Sequence, residues 1–233
     1  MAASSDAERV AELDRLDALS PTGEDLQELV ALAARVLGVP KVAINLISAD
    51  EQHQVAAHGF DPAICSRSDS MCAAVLAEPA PVVVPDARSD ERFAANPFVT
   101  GEIGEVRFYA SAPLVTLRGV HIGRLCAFDD VPHEELASPE MLAVLADRVV
   151  DLLELRAQAR ELARTRARLT SFVTQVNHDL RNPLSALLAN VELLESEPAL
   201  AEDASLEELV TGARRSGERI STLLDELTPP PGA

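Results

Sequence analysis

The sequence predicts an α+β domain followed by a long helical hairpin. Helical and strand patterns are mixed up to about residue 135, whereas one continuous helical repeat occupies residues 139–197. A second helical repeat covers residues 205–227. Strands interspersed with helices favour an antiparallel sheet with flanking helices. Two helices joined by a short loop favour an antiparallel hairpin.

Two helices are expected before the first strand. Residues 1–20 carry apolar side chains at helical spacing, and the segment Ser20–Gly23 ends that pattern. A second helix is expected from Glu24 to Leu37, because its apolar residues form a single stripe. Gly38 follows it at the position where a glycine ends many helices.

The middle of the first domain predicts two antiparallel strand pairs. Lys41–Ile47 is rich in β-branched residues, and Gln52–Ala57 is its expected partner. Val106–Leu117 and His121–Phe128 form the second pair, joined by the tight Arg118–Gly119 turn. Between these strands we expect a short helix over Ser70–Leu76 and a strand over Pro81–Val84. Residues 59–70 and 87–104 are expected to be loops, the second with a helical turn.

The long helical repeat starts with strong local signals. Ser138 is a good N-cap, and Pro139 suits the first helical position. Apolar residues then recur at spacings of three and four, which is typical of a coiled coil or helical bundle. A helix over 139–197 would be about 87 Å long at 1.5 Å per residue, and it needs a partner along its length.

The last helix is expected over residues 205–227, starting at a capping box on Ser205. Gly212 and Gly217 lie inside it, and they either permit close packing or merely weaken the helix. One hairpin buries only one stripe per helix. We therefore expect two chains to pair as a homodimer with a four-helix bundle.

Composition narrows the classes of partner. The net charge of −18 and the 3% aromatic content argue against nucleic acid and anionic membranes. No long uncharged apolar stretch or signal peptide is present, so a cytoplasmic location without membrane insertion is expected. The three cysteines form no CxxC pair, which predicts free thiols and no metal site. An arginine stripe on the long helix is interpreted as a solvated face relieved by Glu154 and Glu161.

The chemistry is concentrated around His178. Neutral imidazole is a nucleophile near pH 7, and the adjacent Asp179 can accept its Nδ1 proton. Asn182 lies one helical turn further on, where its amide could position a water. Pro183 lacks the N–H that bonds the carbonyl of Asp179, so it should loosen the helix and suits a switch. The alternative from spacing alone is an ordinary exposed histidine.

The segment Val176–Leu184 resembles the H-box of HisKA-type sensor histidine kinases, commonly Ser-His-Glu-Leu-Arg-Thr/Asn-Pro-Leu. The resemblance implies that His178 is the phosphoacceptor, that Asp179 is its acidic partner in phosphoryl transfer, and that Asn182 is the phosphatase residue. The chain departs from the pattern at Asn177, where Ser is usual, and at Asp179, where Glu is commoner. The family implies a response regulator receiver domain as partner.

The first domain resembles a GAF domain over residues 22–135. Four segments carry the resemblance: 29–40, 85–93, 107–114 and 122–126. Such domains place a ligand pocket between the sheet and its covering loops, and they bind cyclic nucleotides, haem, tetrapyrroles or no known ligand. No motif here selects one of these ligands, so the ligand stays unknown.

Three residues of this domain are candidates for ligand binding. Arg107 and Tyr109 alternate with Phe108 on a strand, where they face either a pocket or a packed helix. Cys72 could be a bilin-linked thiol, although its flanks differ from the chromophore-lyase type. The histidines outside the H-box could ligate haem, but surface residues are the simpler interpretation.

No nucleotide-binding motif occurs in the sequence, so ATP and Mg²⁺ are expected only if a catalytic domain acts in trans or was removed. Three interpretations remain open. The chain is the sensor and dimerisation part of a kinase, or a phosphotransfer protein that a separate histidine kinase or ATPase domain phosphorylates in trans. The third interpretation is a non-catalytic regulator. The expected segments are an N-terminal helix, a sensor domain, a coiled-coil signalling helix, a phosphotransfer hairpin and a tail: 1–21, 22–137, 138–168, 169–228 and 229–233.

Overall fold

A computed structural model describes residues 5–20, 23–136, 138–196 and 204–227. The chain divides into two compact units, Met1–Ala159 and Arg160–Ala233. In the described residues, no helix is both long and apolar enough to cross a bilayer.

The first two helices end where local backbone chemistry stops them. Helix α1 spans Asp6–Leu16 and begins with a capping box in which Ser5 and Glu8 bond reciprocally. It ends at Asp17, which adopts a left-handed conformation (φ 48°), so the helix is shorter than the 1–20 pattern predicts. Helix α2 spans Glu24–Leu37 and ends at Gly38 (φ 68°), as predicted.

The sheet has six strands in the order β3-β2-β1-β6-β5-β4, and every adjacent pair is antiparallel. This confirms the predicted α+β class. The strands β1 to β6 are Lys41–Ile47, Glu51–His58, Ile64–Ser66, Val82–Val84, Phe108–Val115 and His121–Asp129.

The prediction of loop over residues 59–70 is wrong at β3. This three-residue edge strand pairs with the start of β2, and its Ile64 is 62% exposed. A strand this short with an exposed apolar residue has no alternating pattern to reveal it. The remaining segments contain helix α3, a 3₁₀ turn and helix α4: Met71–Ala74, Ala87–Ser89 and Pro97–Thr100.

The two faces of the sheet support separate cores. On β5, Phe108 and Ala110 enter the first core and Tyr109 enters the second, because successive side chains point to opposite faces. Helices α1, α2 and the start of α5 cover the first core. Helices α3 and α4 and the adjoining loops cover the second core.

Helix α5 runs from Pro139 to Glu195 as one element of 57 residues. Its first turns bury an apolar stripe in the first core, at positions 142, 145, 146, 149, 150 and 153. The helix continues through Pro183 and ends close to the predicted position. The predicted long helix is therefore confirmed.

Helix α6, Ala204–Leu227, packs antiparallel to the later part of α5. The Nδ2 of Asn177 donates to the carbonyl of Leu224 at 3.2 Å, while Arg214 pairs with Glu195 at 2.7 Å. Helix α6 begins one residue before Ser205, so the expected capping residue lies in its first turn. The two predicted helices therefore form the expected hairpin.

The two glycines of α6 have different environments. A Cβ at Gly217 would lie 2.6 Å from Cδ2 of Leu188, so this glycine permits close approach of α5. A Cβ at Gly212 would meet no atom within 4 Å among the described residues. Close packing therefore explains Gly217, whereas no contact among the described residues requires a glycine at position 212.

We predict that Gly212→Ala stabilises the hairpin by about 1 kcal/mol, since alanine is the better helix former and meets open space. Gly217→Ala gains the same helix propensity but must displace Leu188, so its gain is smaller or reversed. Urea unfolding of both variants checks this order. Equal stabilisation by both substitutions would contradict close packing at Gly217.

Candidate functional site

His178 is presented to solvent on α5. Its side chain is 71% exposed, and its Nδ1 lies 3.5 Å from Oδ1 of Asp179, at the outer limit of a hydrogen bond. The Nε2 of Gln175 donates to both carboxylate oxygens of Asp179 at 3.0 Å. The carboxylate is thus held from the preceding turn, beside the imidazole.

The electrostatics of this pair favour an ionised carboxylate beside the ring. The hydrogen bonds from Gln175 and then from His178 hold the pKa of Asp179 below its ordinary value. Asp179 is therefore ionised at neutral pH and can accept a hydrogen bond from Nδ1–H. With that proton directed to Asp179, the lone pair of Nε2 is available as a nucleophile.

The exposure of His178 follows from its neighbour in the sequence. Asn177 is 6% exposed and donates to the carbonyl of Leu224, which lies in the last turn of α6. This hydrogen bond joins the middle of α5 to the end of α6. Successive residues of a helix are about 100° apart, and an inward Asn177 turns His178 outward. Sequence reasoning missed this role, because Leu224 is distant in the chain.

Asn182 and Pro183 follow within the same helix. Asn182 is exposed and lies four residues after His178, so helical geometry places it on the same face. Pro183 supplies no N–H for the carbonyl of Asp179, yet α5 is helical on both sides of it. The local weakening expected there does not end the helix.

The second core holds a cavity of about 200 Å³. Cys72 and Met71 lie in its buried wall, and Ile103, Glu105 and Asp130 form an exposed rim. Pockets for drug-sized ligands measure roughly 300–1,000 Å³, so this cavity suits a smaller molecule than a tetrapyrrole. Its polar lining includes Gln52, Gln54 and Lys41, which no sequence motif had indicated.

The other two ligand-binding candidates lie elsewhere. Arg107 donates from Nε to Oδ1 of Asp86 at 2.8 Å and from Nη2 to Oδ2 at 2.5 Å. Tyr109 is fully buried, with ring centroids 5.1 Å from Phe93 and 5.7 Å from Phe128. The structure therefore places Cys72 in the cavity wall, Arg107 in a two-point ion pair and Tyr109 within the second core.

A buried ion-pair cluster joins α5 to the N-terminal helix. Arg15 lies 2.7 Å from Glu12 and 2.7 Å from Glu154, and both carboxylates are almost inaccessible to solvent. The hydrogen bond from Arg15 lowers the pKa of Glu12. Glu154 also accepts from the backbone N–H of Leu117 at 3.4 Å. Glu154 therefore binds Arg15 and the connection between β5 and β6, whereas the sequence had suggested that it relieves the arginine stripe.

Two family models match the chain in succession. The GAF domain model covers residues 22–156, more than half of the sequence. The His Kinase A (phospho-acceptor) domain model covers residues 168–228. These two matches in this order indicate a two-component sensor of the histidine kinase type. The chain belongs to the GAF domain family, and its C-terminal hairpin is a HisKA domain.

A curated relative is a cyclic di-GMP phosphodiesterase from Pseudomonas aeruginosa. It is 34% identical over 134 residues, which are 57% of this chain and 23% of that protein. The chain thus spans about a quarter of the length of the curated relative it matches.

Solved structures resemble this chain more distantly. The GAF domain of nlh2 from A. aeolicus is 17% identical, with a TM-score of 0.43, over 66% of this chain and 96% of that chain. A type II free methionine-R-sulfoxide reductase from Thermoplasma acidophilum is 15% identical, with a TM-score of 0.47, over 60% and 94%.

We predict that Asn177→Ala destabilises the hairpin by about 1 kcal/mol, because it removes the hydrogen bond from the Asn177 amide to the carbonyl of Leu224. Thr174→Ala, an exposed change on the same helix, is the control and should stay within about 0.5 kcal/mol. Chemical unfolding of the two variants measures both effects. Similar small losses would show that Asn177 does not hold α6.

Proposed function

We propose that His178 receives a phosphoryl group and exchanges it with the receiver domain of a response regulator. The supporting observation is the exposed imidazole beside Asp179, a carboxylate of lowered pKa that Gln175 holds in place. The proposal gives His178 the role of phosphoacceptor and Asp179 the role of its acid–base partner. A cytoplasmic location is part of the same proposal.

The transfer is a displacement at phosphorus. Nε2 of His178 attacks the phosphorus of a receiver acyl phosphate, an N–P bond forms, and the bond to the receiver carboxylate breaks. Asp179 stabilises the positive charge that develops on the imidazole ring. In the reverse direction the receiver carboxylate attacks and His178 leaves. Asn182 is proposed to orient a water molecule for the competing hydrolysis.

The hairpin also supports a proposed homodimer. Leu180, Leu187 and Leu194 recur every seven residues on α5 and are about half or more exposed in the single chain. On α6 a second exposed apolar set consists of Leu206, Leu209, Ile220 and Leu223. Apolar repeats of this length are buried when two hairpins form a four-helix bundle.

The proposed signal path runs along α5. Its first part, up to residue 159, shares a core with the sensor sheet and is joined to α1 by Glu154 and Arg15. We assign residues 138–168 to a signalling helix and Pro183 to the point where the helix bends. We propose that α5 has two packing arrangements in equilibrium. A small ligand in the cavity shifts that equilibrium only if it binds the two arrangements with different affinity.

Phosphotransfer from a labelled phospho-receiver tests the role of His178. We expect label on the wild-type chain that is labile to acid and stable to base, and none on His178→Gln. Asp179→Asn should slow transfer by about 10²-fold or more, since acid–base assistance is typically worth 10²–10⁴-fold. Gln175→Ala, which frees the Asp179 carboxylate, should have a smaller effect. Label retained by His178→Gln would contradict His178 as the phosphoacceptor, and a wild-type chain that acquires no label would favour the non-catalytic regulator.

Sedimentation equilibrium tests the homodimer. The measured mass of the wild-type species should be twice the 24.9 kDa mass of one chain. Leu187→Glu should weaken the dimer at least about tenfold, because each copy would bury an unpaired charge. Ala189→Glu, an exposed change on the other side of α5, is the control and should leave the mass unchanged. A monomeric wild-type chain would refute the proposed bundle.

A further inference from the structure

Two cysteines that are far apart in the sequence meet in the second core. Cys72 lies on α3 and Cys126 on β6, 54 residues later, and their Sγ atoms are 2.8 Å apart. Both are free thiols. A disulfide bond is about 2.05 Å long, so the sulfurs need to approach by less than about 1 Å to form one.

The sulfurs are surrounded by hydrogen-bond donors, which distinguishes them from inert core cysteines. Nδ2 of Asn45 donates to Cys72 Sγ at 3.1 Å, and the hydroxyl of Tyr109 lies 3.6 Å from Cys72 Sγ and 3.8 Å from Cys126 Sγ. Such donors stabilise a thiolate more than a thiol.

A buried cation strengthens this polarity. Arg124 is inaccessible to solvent, and its guanidinium donates to the hydroxyl of Ser111 and to backbone carbonyls. These partners carry no charge, so they satisfy the N–H groups without neutralising the guanidinium. Its positive field therefore reaches the neighbouring sulfurs in a medium that screens it poorly.

The two thiols respond differently to this environment. Burial alone would raise the pKa of Cys72, but hydrogen bonds from Cys126, Tyr109 and Asn45, together with Arg124, lower it below its ordinary value. Burial and the adjacent Cys72 sulfur raise the pKa of Cys126 well above its ordinary value. Cys72 thus has the properties of an attacking thiolate, and Cys126 those of a resolving thiol.

The cavity offers a route to one member of the pair. Cys72 lies in its buried wall, and the rim at Ile103, Glu105 and Asp130 is exposed. At about 200 Å³ the cavity admits a small oxidant such as a hydroperoxide. Cys65 lies outside this pair, and burial raises its pKa to about 11, which makes it a poor nucleophile.

We propose that Cys72 and Cys126 form a redox-active dithiol, which a hydroperoxide entering the cavity oxidises to a disulfide. The Cys72 thiolate attacks one peroxide oxygen, so an S–O bond forms, the O–O bond breaks, and the alcohol or water leaves with a proton. The thiol of Cys126 then displaces water from the Cys72 sulfenic acid and forms the S–S bond. Overall, two thiols and one hydroperoxide give one disulfide, one alcohol and one water.

The disulfide would tie α3 to β6, which pairs with both β1 and β5. It would also rearrange the cavity wall, because Cys72 belongs to it. Oxidation is therefore a chemical input to the sensor domain that goes beyond the proposed phosphotransfer and is independent of His178.

The test uses the full chain, reduced, freed of reductant and treated with a small excess of hydrogen peroxide. Alkylation and unfolding should then reveal one free thiol in place of three, and peptide mass mapping should find Cys72 joined to Cys126. Dithiothreitol should restore three thiols. Three alkylatable thiols after peroxide treatment, or a disulfide that includes Cys65, would overturn the proposal.

Variants separate the roles of the two sulfurs. Cys65→Ser is the matched control and should form the same disulfide, leaving no free thiol. Cys126→Ala should accumulate a sulfenic acid on Cys72 that dimedone traps, whereas Cys72→Ala should leave Cys126 unmodified. The reverse pattern would overturn the assignment. His178→Gln should oxidise like the wild type, so failure of phosphotransfer and failure of oxidation are distinguishable.

Discussion

The architecture depends on one requirement: the apolar residues that recur along a helix of 57 residues need packing partners. Isolated helices are marginal in water, and tertiary burial of an amphipathic face supplies most of their stability. The first part of α5 buries Leu142, Val149 and Leu153 against the sensor sheet. Its later part buries Asn177 and Leu184 in the hairpin with α6. The same helix therefore contributes to the sensor core and carries His178.

The two faces of the sheet have different chemistry, and this difference organises the sensor domain. The first face is covered by α1, α2 and α5 through a largely aliphatic core, with the Arg15–Glu12–Glu154 ion-pair cluster joining α1 to α5. The second face contains sulfur, amide, phenol and guanidinium groups around a small cavity. Central strands contribute to both faces, so a rearrangement beside Cys126 on β6 occurs one peptide away from side chains that contact the helices. This proximity gives a physical basis for coupling the cavity to α5.

The candidate site was readable from the sequence because it lies on one helix. His178, Asp179 and Asn182 have positions set by the helical repeat alone, and the structure retains that repeat through Pro183. The function of Asn177 was not readable, since its partner is a carbonyl on α6. The strand β3 was missed because pairing with β2, not its own three residues, creates it. By contrast, the Ser5 capping box follows a local motif that could have been found.

The sequence by itself determined the ends of α2 and α5, the antiparallel strand pairs and the spacing of the H-box, because periodicity and local backbone bonding act over a few residues. Only the tertiary structure decided which distant groups meet. Cys72 contacts Cys126 across 54 positions, and Glu154 meets Arg15 across 139. These contacts arise from how helices and loops cover the two faces of the sheet. Burial there depends on the whole packed layer and is not encoded in any single segment.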